Sequence, residues 1–162
     1  MSDVRWRPAL PTDLTIIVEW VDTARALERW AGPDLSWPTD GTTLWRELDG
    51  GGIPSFCLES DRKPAAFGQL FPKAERHWHL ARIIVSPAHR RRGLGERLCR
   101  RLLAEARHRH AERVTLNVFA DNQAAIDLYR RLGFVNQGAV DTRGIQPMQL
   151  RQFAPDVDNT DP

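Results

Sequence analysis

Arginine and glycine crowd one short turn, Arg90-Arg91-Arg92-Gly93-Leu94-Gly95, directly after the apolar run Ile83-Ile84-Val85 and Pro87. Three guanidinium groups beside two residues without side chains make an anion-binding composition. The continuation strengthens it. Leu94, Leu98 and Leu102 recur at helical spacing, with Leu103 and Ala106 beside them, so a helix opens where the arginines end. The first amides of a helix have no internal partner, and its dipole places positive potential there. A strand, this turn and that helix predict a ligand that carries phosphates. The turn is not a P-loop, because Glu96 and Arg97 follow Gly95 where Lys and Ser or Thr would be needed. It is a poor dinucleotide fingerprint, because Leu98 stands where a third small residue belongs. A second pair of residues could do chemistry. Asn122 and Tyr129 lie seven apart on a predicted helix, close to two turns, and so share a face. Asn122 can cap that helix and reach a ligand. Tyr129, the only tyrosine in the chain, can donate a proton at neutral pH.

The arrangement Val85-x-Pro87 followed by Arg90-x-x-Gly93-x-Gly95 resembles the coenzyme A motif of the GNAT superfamily of N-acetyltransferases. The stretch LNVFADNQAAIDLYRRLGF, Leu116 to Phe134, resembles the second signature of that superfamily through Asn122, Ala125, Tyr129, Gly133 and Phe134. The two motifs stand in the family's order. The resemblance implies transfer of an acetyl group from acetyl-CoA, as co-substrate and without a metal, to a primary amine of a small molecule or peptide by direct attack. It implies that Ile83, Ile84 and Val85 hold the pantetheine arm and the acetyl group, and that Arg90, Arg91, Arg92, Gly93, Leu94 and Gly95 hold the pyrophosphate. Asn122 falls on the cofactor side, and Tyr129 becomes the general acid that protonates the departing thiolate. Relatives that act on protein N-termini often carry a glutamate on the strand that here reads Leu116-Asn117-Val118; Asn117 occupies its place, and an amide is no base at neutral pH. His77, His79, Glu75 or an ordered water could take the proton instead. The same fold without a base would serve as a non-catalytic acyl-CoA-binding or regulatory protein. Homodimers are common in the superfamily, and a homodimer is compatible with this chain.

The elements that must position these residues follow from pattern and punctuation. Val4 to Arg7 alternates as a strand, and a helix capped by Thr12 or Asp13 follows. Helical pieces are expected over Thr23 to Trp30 and Thr42 to Leu48, separated by Gly32-Pro33 and Trp37-Pro38. Ser55 to Ser60 and Ala65 to Phe71 read as strands joined by a hairpin turn, and His77 to Val85 as a third. After the arginine-rich helix come a strand, Val114 to Phe119, a helix to about Leu132 stopped by Gly133, and two strands, Phe134 to Val140 and Ile145 to Arg151. Hairpins together with a parallel crossover predict an α/β protein with a mixed sheet of about seven strands flanked by helices, which is also the GNAT order. Residues 1–153 read as one domain and 154–162 as a disordered, acidic tail.

Composition narrows the classes. With 41% hydrophobic and 27% charged residues, the chain reads as a globular domain with a full core. A net charge of +2 does not call for nucleic acid, and no aromatic residues interleave with the arginines between Arg90 and Arg113, so nucleic acid is not the expected partner. Cys57 and Cys99 fall inside predicted elements and read as buried thiols. No leader or membrane-spanning run is visible, so a cytoplasmic enzyme is expected. The resemblance implies that the N-terminal helices line the acceptor side; there Trp20, Trp30, Trp37 and Trp45 with Asp34, Asp40, Glu47 and Asp49 either pack the helices or hold a cationic or aromatic amine.

Overall fold

The computed structural model describes residues 3–151 and 153; the expected tail, 154–162, lies outside the described residues. In chain order the elements are β1 (Val4–Pro8), α1 (Pro11–Ile17), α2 (Ala24–Ala31), α3 (Gly41–Glu47), β2 (Ser55–Ser60), β3 (Lys63–Ala74), β4 (His77–Val85), α4 (Leu94–His108), β5 (Arg113–Phe119), α5 (Gln123–Arg131), β6 (Phe134–Asn136) and β7 (Ile145–Leu150). The strands form one seven-stranded sheet in the order β1-β2-β3-β4-β5-β7-β6. All neighbours are antiparallel except β4 and β5, which the α4 crossover joins in parallel.

Each face of the sheet buries a different set of helices. Leu98, Leu102 and Ala106 of α4 and Ile126 and Tyr129 of α5 pack on one face with Phe56, Leu58, Leu116 and Met148. Leu14 and Ile17 of α1, Leu27 of α2 and Leu44 of α3 cover the other with Cys57 and Phe67. Strand alternation explains the split in β2: Phe56 and Leu58 point one way and Cys57 the other. Both cysteines are buried, free thiols, as expected, and burial pushes the Cys99 thiol up to about 12. Gly68 lets α4 sit close on β3, since a Cβ there would lie 3.0 Å from Leu102 Cδ1.

The first helix starts differently from the sequence expectation. Leu10, not Thr12 or Asp13, holds the N-cap position, with Pro11 in the first turn, and Asp13 supports the cap from the third helical position. Asp13 lies inside, accepting from the Leu10 amide at 2.7 Å and from both terminal nitrogens of Arg7 at 2.7 and 2.8 Å. Burial alone would raise the Asp13 carboxyl; the Arg7 guanidinium and the Leu10 amide outweigh it and hold the group below the ordinary range. The strand expected over Phe134 to Val140 stops at Asn136, because Gly138 and the loop before β7 leave the ladder. β3 runs past Phe71 to Ala74.

Candidate active site

Two irregularities in β4 build the site. Opposite the single residue Gly68 of β3, β4 places two residues, Arg82 and Ile83, so the register jumps from Gln69–Ala81 to Phe67–Ile84. This is a β-bulge, and Arg82 takes the left-handed conformation at φ 53°. On its other side, β4 pairs with β5 only from His77–Arg113 to Leu80–Leu116. Beyond that point Ala81 to Val85 and Asn117 to Phe119 have parted, and the backbone groups of β4 that would complete the ladder face a gap in the middle of the sheet.

Arg82 anchors the bulge to the helices beneath it. Its side chain donates to the carbonyl of Ala31 at 3.1 Å, to that of Leu48 at 3.4 Å and to Gln69 Oε1 at 2.8 Å, while its own carbonyl accepts from Trp30 Nε1 at 2.8 Å. Burial lowers its pKa, and these acceptors satisfy the half-buried guanidinium. Arg29 closes the mouth of the gap from α2, pairing with Asp121 at 2.6 Å and lying 4.2 Å over the Phe119 ring.

Three adjoining cavities follow the gap. The first, of about 320 Å³, is lined by Val85, Arg90, Arg91, Gly93, Leu94, Gly95 and Asn122. α4 has no side-chain cap; its N-cap residue is Gly93, at φ 75°, a conformation glycine adopts without strain. The amides of Leu94, Gly95 and Glu96 therefore lack intrahelical partners beside Arg90 and Arg91, which have no ion-pair partners among the described residues. That is the chemistry of a phosphate cradle. Arg92 is exposed on the same turn but does not line the cavity.

The second cavity, of about 360 Å³, joins Ile83, Ile84, Arg90, Asn117, Asn122 and Tyr129 with Trp20 and Trp30. Asn122 caps α5, accepting from the Ala125 amide at 3.3 Å. Tyr129 is buried, its ring edge-on to Phe134 with centroids 6.1 Å apart. Burial, then the neighbouring Cys99, raises the phenol well above its ordinary pKa, so it holds its proton throughout the neutral range.

The third cavity, of about 390 Å³, lies at the inner end of the gap and shares Arg29, Trp30, Leu80, Arg82, Asn117, Val118 and Phe119 with the second. His79 lines it. The Thr115 hydroxyl bridges His79 Nδ1 at 2.7 Å and His77 Nε2 at 2.8 Å. Burial, then Lys73 and His77, lowers the His79 pKa from 6.5 to about 4, so its ring is neutral at pH 7. His77 lines none of the three cavities, and Glu75 is exposed in the turn before β4, away from the gap. Of the candidates for the missing base, His79 alone lines the site.

The acceptor side differs most from the sequence reading. Only Trp20 and Trp30 of the four tryptophans line any of these three cavities, and none of the four carboxylates does. Asp40 caps α3 through the Thr43 amide, and Glu47 accepts from the Ser36 amide and hydroxyl. Asp34 and Asp49 sit in turns with positive φ. Local hydrogen bonds thus use Asp40 and Glu47, and the lysine and arginines that do line the inner cavity come from other elements. Sequence spacing gave no sign of Arg82, Lys73 or Arg143, because the bulge and the turn that deliver them break the strand period.

A family model for the acetyltransferase (GNAT) family matches residues 20–134, most of the chain and all of the cleft-forming segment from β4 to α5. The chain belongs to the GNAT family. A stretch of 55 residues, 34% of this GNAT chain, is 40% identical to the uncharacterized N-acetyltransferase YobR of Bacillus subtilis, and the match spans only 22% of that protein. Among solved structures, the putative acetyltransferase yncA from Salmonella typhimurium, determined with its cofactor acetyl-CoA, superposes with a TM-score of 0.74 at 22% identity. That likeness covers 96% of this chain and 99% of the other. The ribosomal-protein-S18-alanine N-acetyltransferase of Escherichia coli is similar at a TM-score of 0.67 and 27% identity, over 91% and 93% of the two chains. No described helix is long and apolar enough to cross a membrane, and no group of three or more described His, Cys, Asp or Glu side chains could hold a metal ion.

Proposed function

We propose that this GNAT protein is an acetyl-CoA-dependent N-acetyltransferase, carried by one domain over residues 1–153, that transfers acetyl to a primary amine by direct attack. The observation that carries the reading is the continuous gap between β4 and β5, which connects the uncapped end of α4 to the cavity of His79 past Tyr129. The yncA structure with acetyl-CoA supports the choice of donor.

In this mechanism the α4 amides and Arg90 and Arg91 hold the pyrophosphate, with Arg92 adding charge from the exposed side of the turn. The unpaired edge of Ile83 to Val85 takes the place of a strand for the pantetheine arm. One of its amides steadies the negative charge that develops on the thioester oxygen. The amine enters from the inner cavity and bonds to the carbonyl carbon. The carbon–sulfur bond then breaks, and Tyr129 gives its proton to the leaving sulfur. His79 receives the proton that the nitrogen sheds after attack. Although a weak base, it faces an alkylammonium made far more acidic by the adjoining carbon and oxygen. Thr115 and His77 lead that proton outward along the two hydrogen bonds. Asn117 borders the reacting centre as a polar, uncharged wall.

Thiol release from acetyl-CoA with a panel of amines tests this. Wild-type protein should turn over with one amine class, and Tyr129→Phe should bind coenzyme A as before while kcat falls at least tenfold. Equal turnover by Tyr129→Phe would remove the phenol from the mechanism. Acetyl-CoA binding with no turnover of any amine would favour a non-catalytic acyl-CoA-binding protein.

A further inference from the structure

The inner cavity has a sign. Lys73 of β3, Arg82 of the bulge, Arg29 of α2 and Arg143 of the loop before β7 line it, against one carboxylate, Glu28. These cations do not cancel within the fold. Arg29 alone is paired, with Asp121; Lys73 and Arg143 have no ion-pair partner among the described residues. Arg82 commits Nε and Nη1 to Ala31, Leu48 and Gln69, while Nη2 has no protein partner among the described residues. The nearby Asp141 carboxylate accepts from the Arg143 and Ile145 amides of its own turn. His79 is neutral and adds no negative charge.

A polyamine entering this cavity would meet uncompensated positive charge from three directions. An amine that also carries a carboxylate would find forked and point-charge donors for it, while its nitrogen faced the gap. At about 390 Å³ the cavity holds a small molecule of amino-acid size with room to spare.

We propose that the acceptor is a small amine bearing a carboxylate, an amino acid in chemical class, with the carboxylate held by Lys73, Arg82 and Arg143. This rests on the acetyl-transfer reading above and narrows it.

The test pairs charge with its removal. Thiol release is measured with acetyl-CoA and the protein amino acids, with their α-carboxamides, and with spermidine. The acids should exceed their own amides by at least tenfold in kcat/KM, and spermidine should be poorer still. Lys73→Gln and Arg143→Gln should each raise KM for the amino acid about tenfold while KM for acetyl-CoA stays put. Ligand-observed NMR with protein saturated with coenzyme A gives a readout that needs no turnover: acids should bind and amides should not. Equal use or binding of amides, preference for spermidine, or no binding of any acid overturns the proposal while leaving the enzyme reading intact. Failure of acetyl-CoA itself to bind overturns both.

Discussion

Burying His79 as a neutral ring sets an acid limit on the fold that a single substitution should remove. The folded protein titrates this imidazole near pH 4, because burial, Lys73 and His77 all oppose its charge. The surrounding cavity adds Arg29, Arg82 and Arg143 on the positive side and only Glu28 on the negative. In the unfolded chain the ring titrates near its ordinary value, about 6.5. Between those values the unfolded state binds more protons, so stability rises with pH and is lost as pH falls. From pH 7 to pH 5 the loss from this one ring amounts to about 2 kcal/mol. Asp13, held below the ordinary carboxylate range, keeps its contribution until the pH drops further, so the window isolates histidine. Urea unfolding at pH 7, 6 and 5, followed by tryptophan fluorescence at constant ionic strength, reads the effect. His79→Gln should lower stability at pH 7 by losing its fit to Thr115, yet lose about 2 kcal/mol less on acidification, roughly 1 M in the urea midpoint. Parallel pH profiles for the two proteins would refute the reasoning, because His79 would then not be the neutral, buried group the hydrogen bond to Thr115 implies.

Replacing Arg90 and Arg91 together with glutamine should raise KM for acetyl-CoA about tenfold or more and flatten its salt dependence, read by steady-state kinetics at two ionic strengths, while KM for the acceptor holds. Asn117→Glu places a carboxylate where two cavities meet; it should raise KM for a carboxylate-bearing amine and shift preference toward neutral amines, measured on the same acid and amide pairs. Leu102→Ala removes a fully buried side chain between α4 and β3 and should cost about 2–5 kcal/mol in denaturant unfolding, with kcat per folded molecule preserved.

The parts of this molecule with a period are legible in its sequence. α4 is visible because Leu94, Leu98 and Leu102 repeat, and the turn before it because glycines and arginines crowd one short stretch. Asn122 and Tyr129 were legible as one helix face, and both line the second cavity. What stayed hidden depends on pairing between distant strands. The bulge at Arg82 exists because β3 and β4 differ by one residue in count opposite Gly68, which no local spacing announces. The cationic inner cavity collects Lys73 from the far end of β3 and Arg143 from the loop before β7, residues far apart in the sequence. Conversely, the tryptophan and carboxylate cluster looked like a binding site because composition cannot distinguish a carboxylate that caps a helix, as Asp40 does, from one that faces a ligand.

The charge of the inner cavity also bears on the absent glutamate. An amine must shed charge to become a nucleophile, and it can do so by meeting a strong base or by binding where the ammonium form is disfavoured. A carboxylate at position 117 would serve the first route but would neutralise the surroundings that Lys73, Arg82 and Arg143 create, and would repel an anionic acceptor. Asn117 with the neutral His79 suits the second route. In the proposed complex, cations around the amine would lower its pKa, the acceptor's own carboxylate would supply the binding energy that draws it there, and a weak base would suffice for the acidic proton left after attack. On this logic the amide at position 117 and the arginine in the bulge are two parts of one solution: the site favours the free amine through its field rather than through a single proton-abstracting side chain.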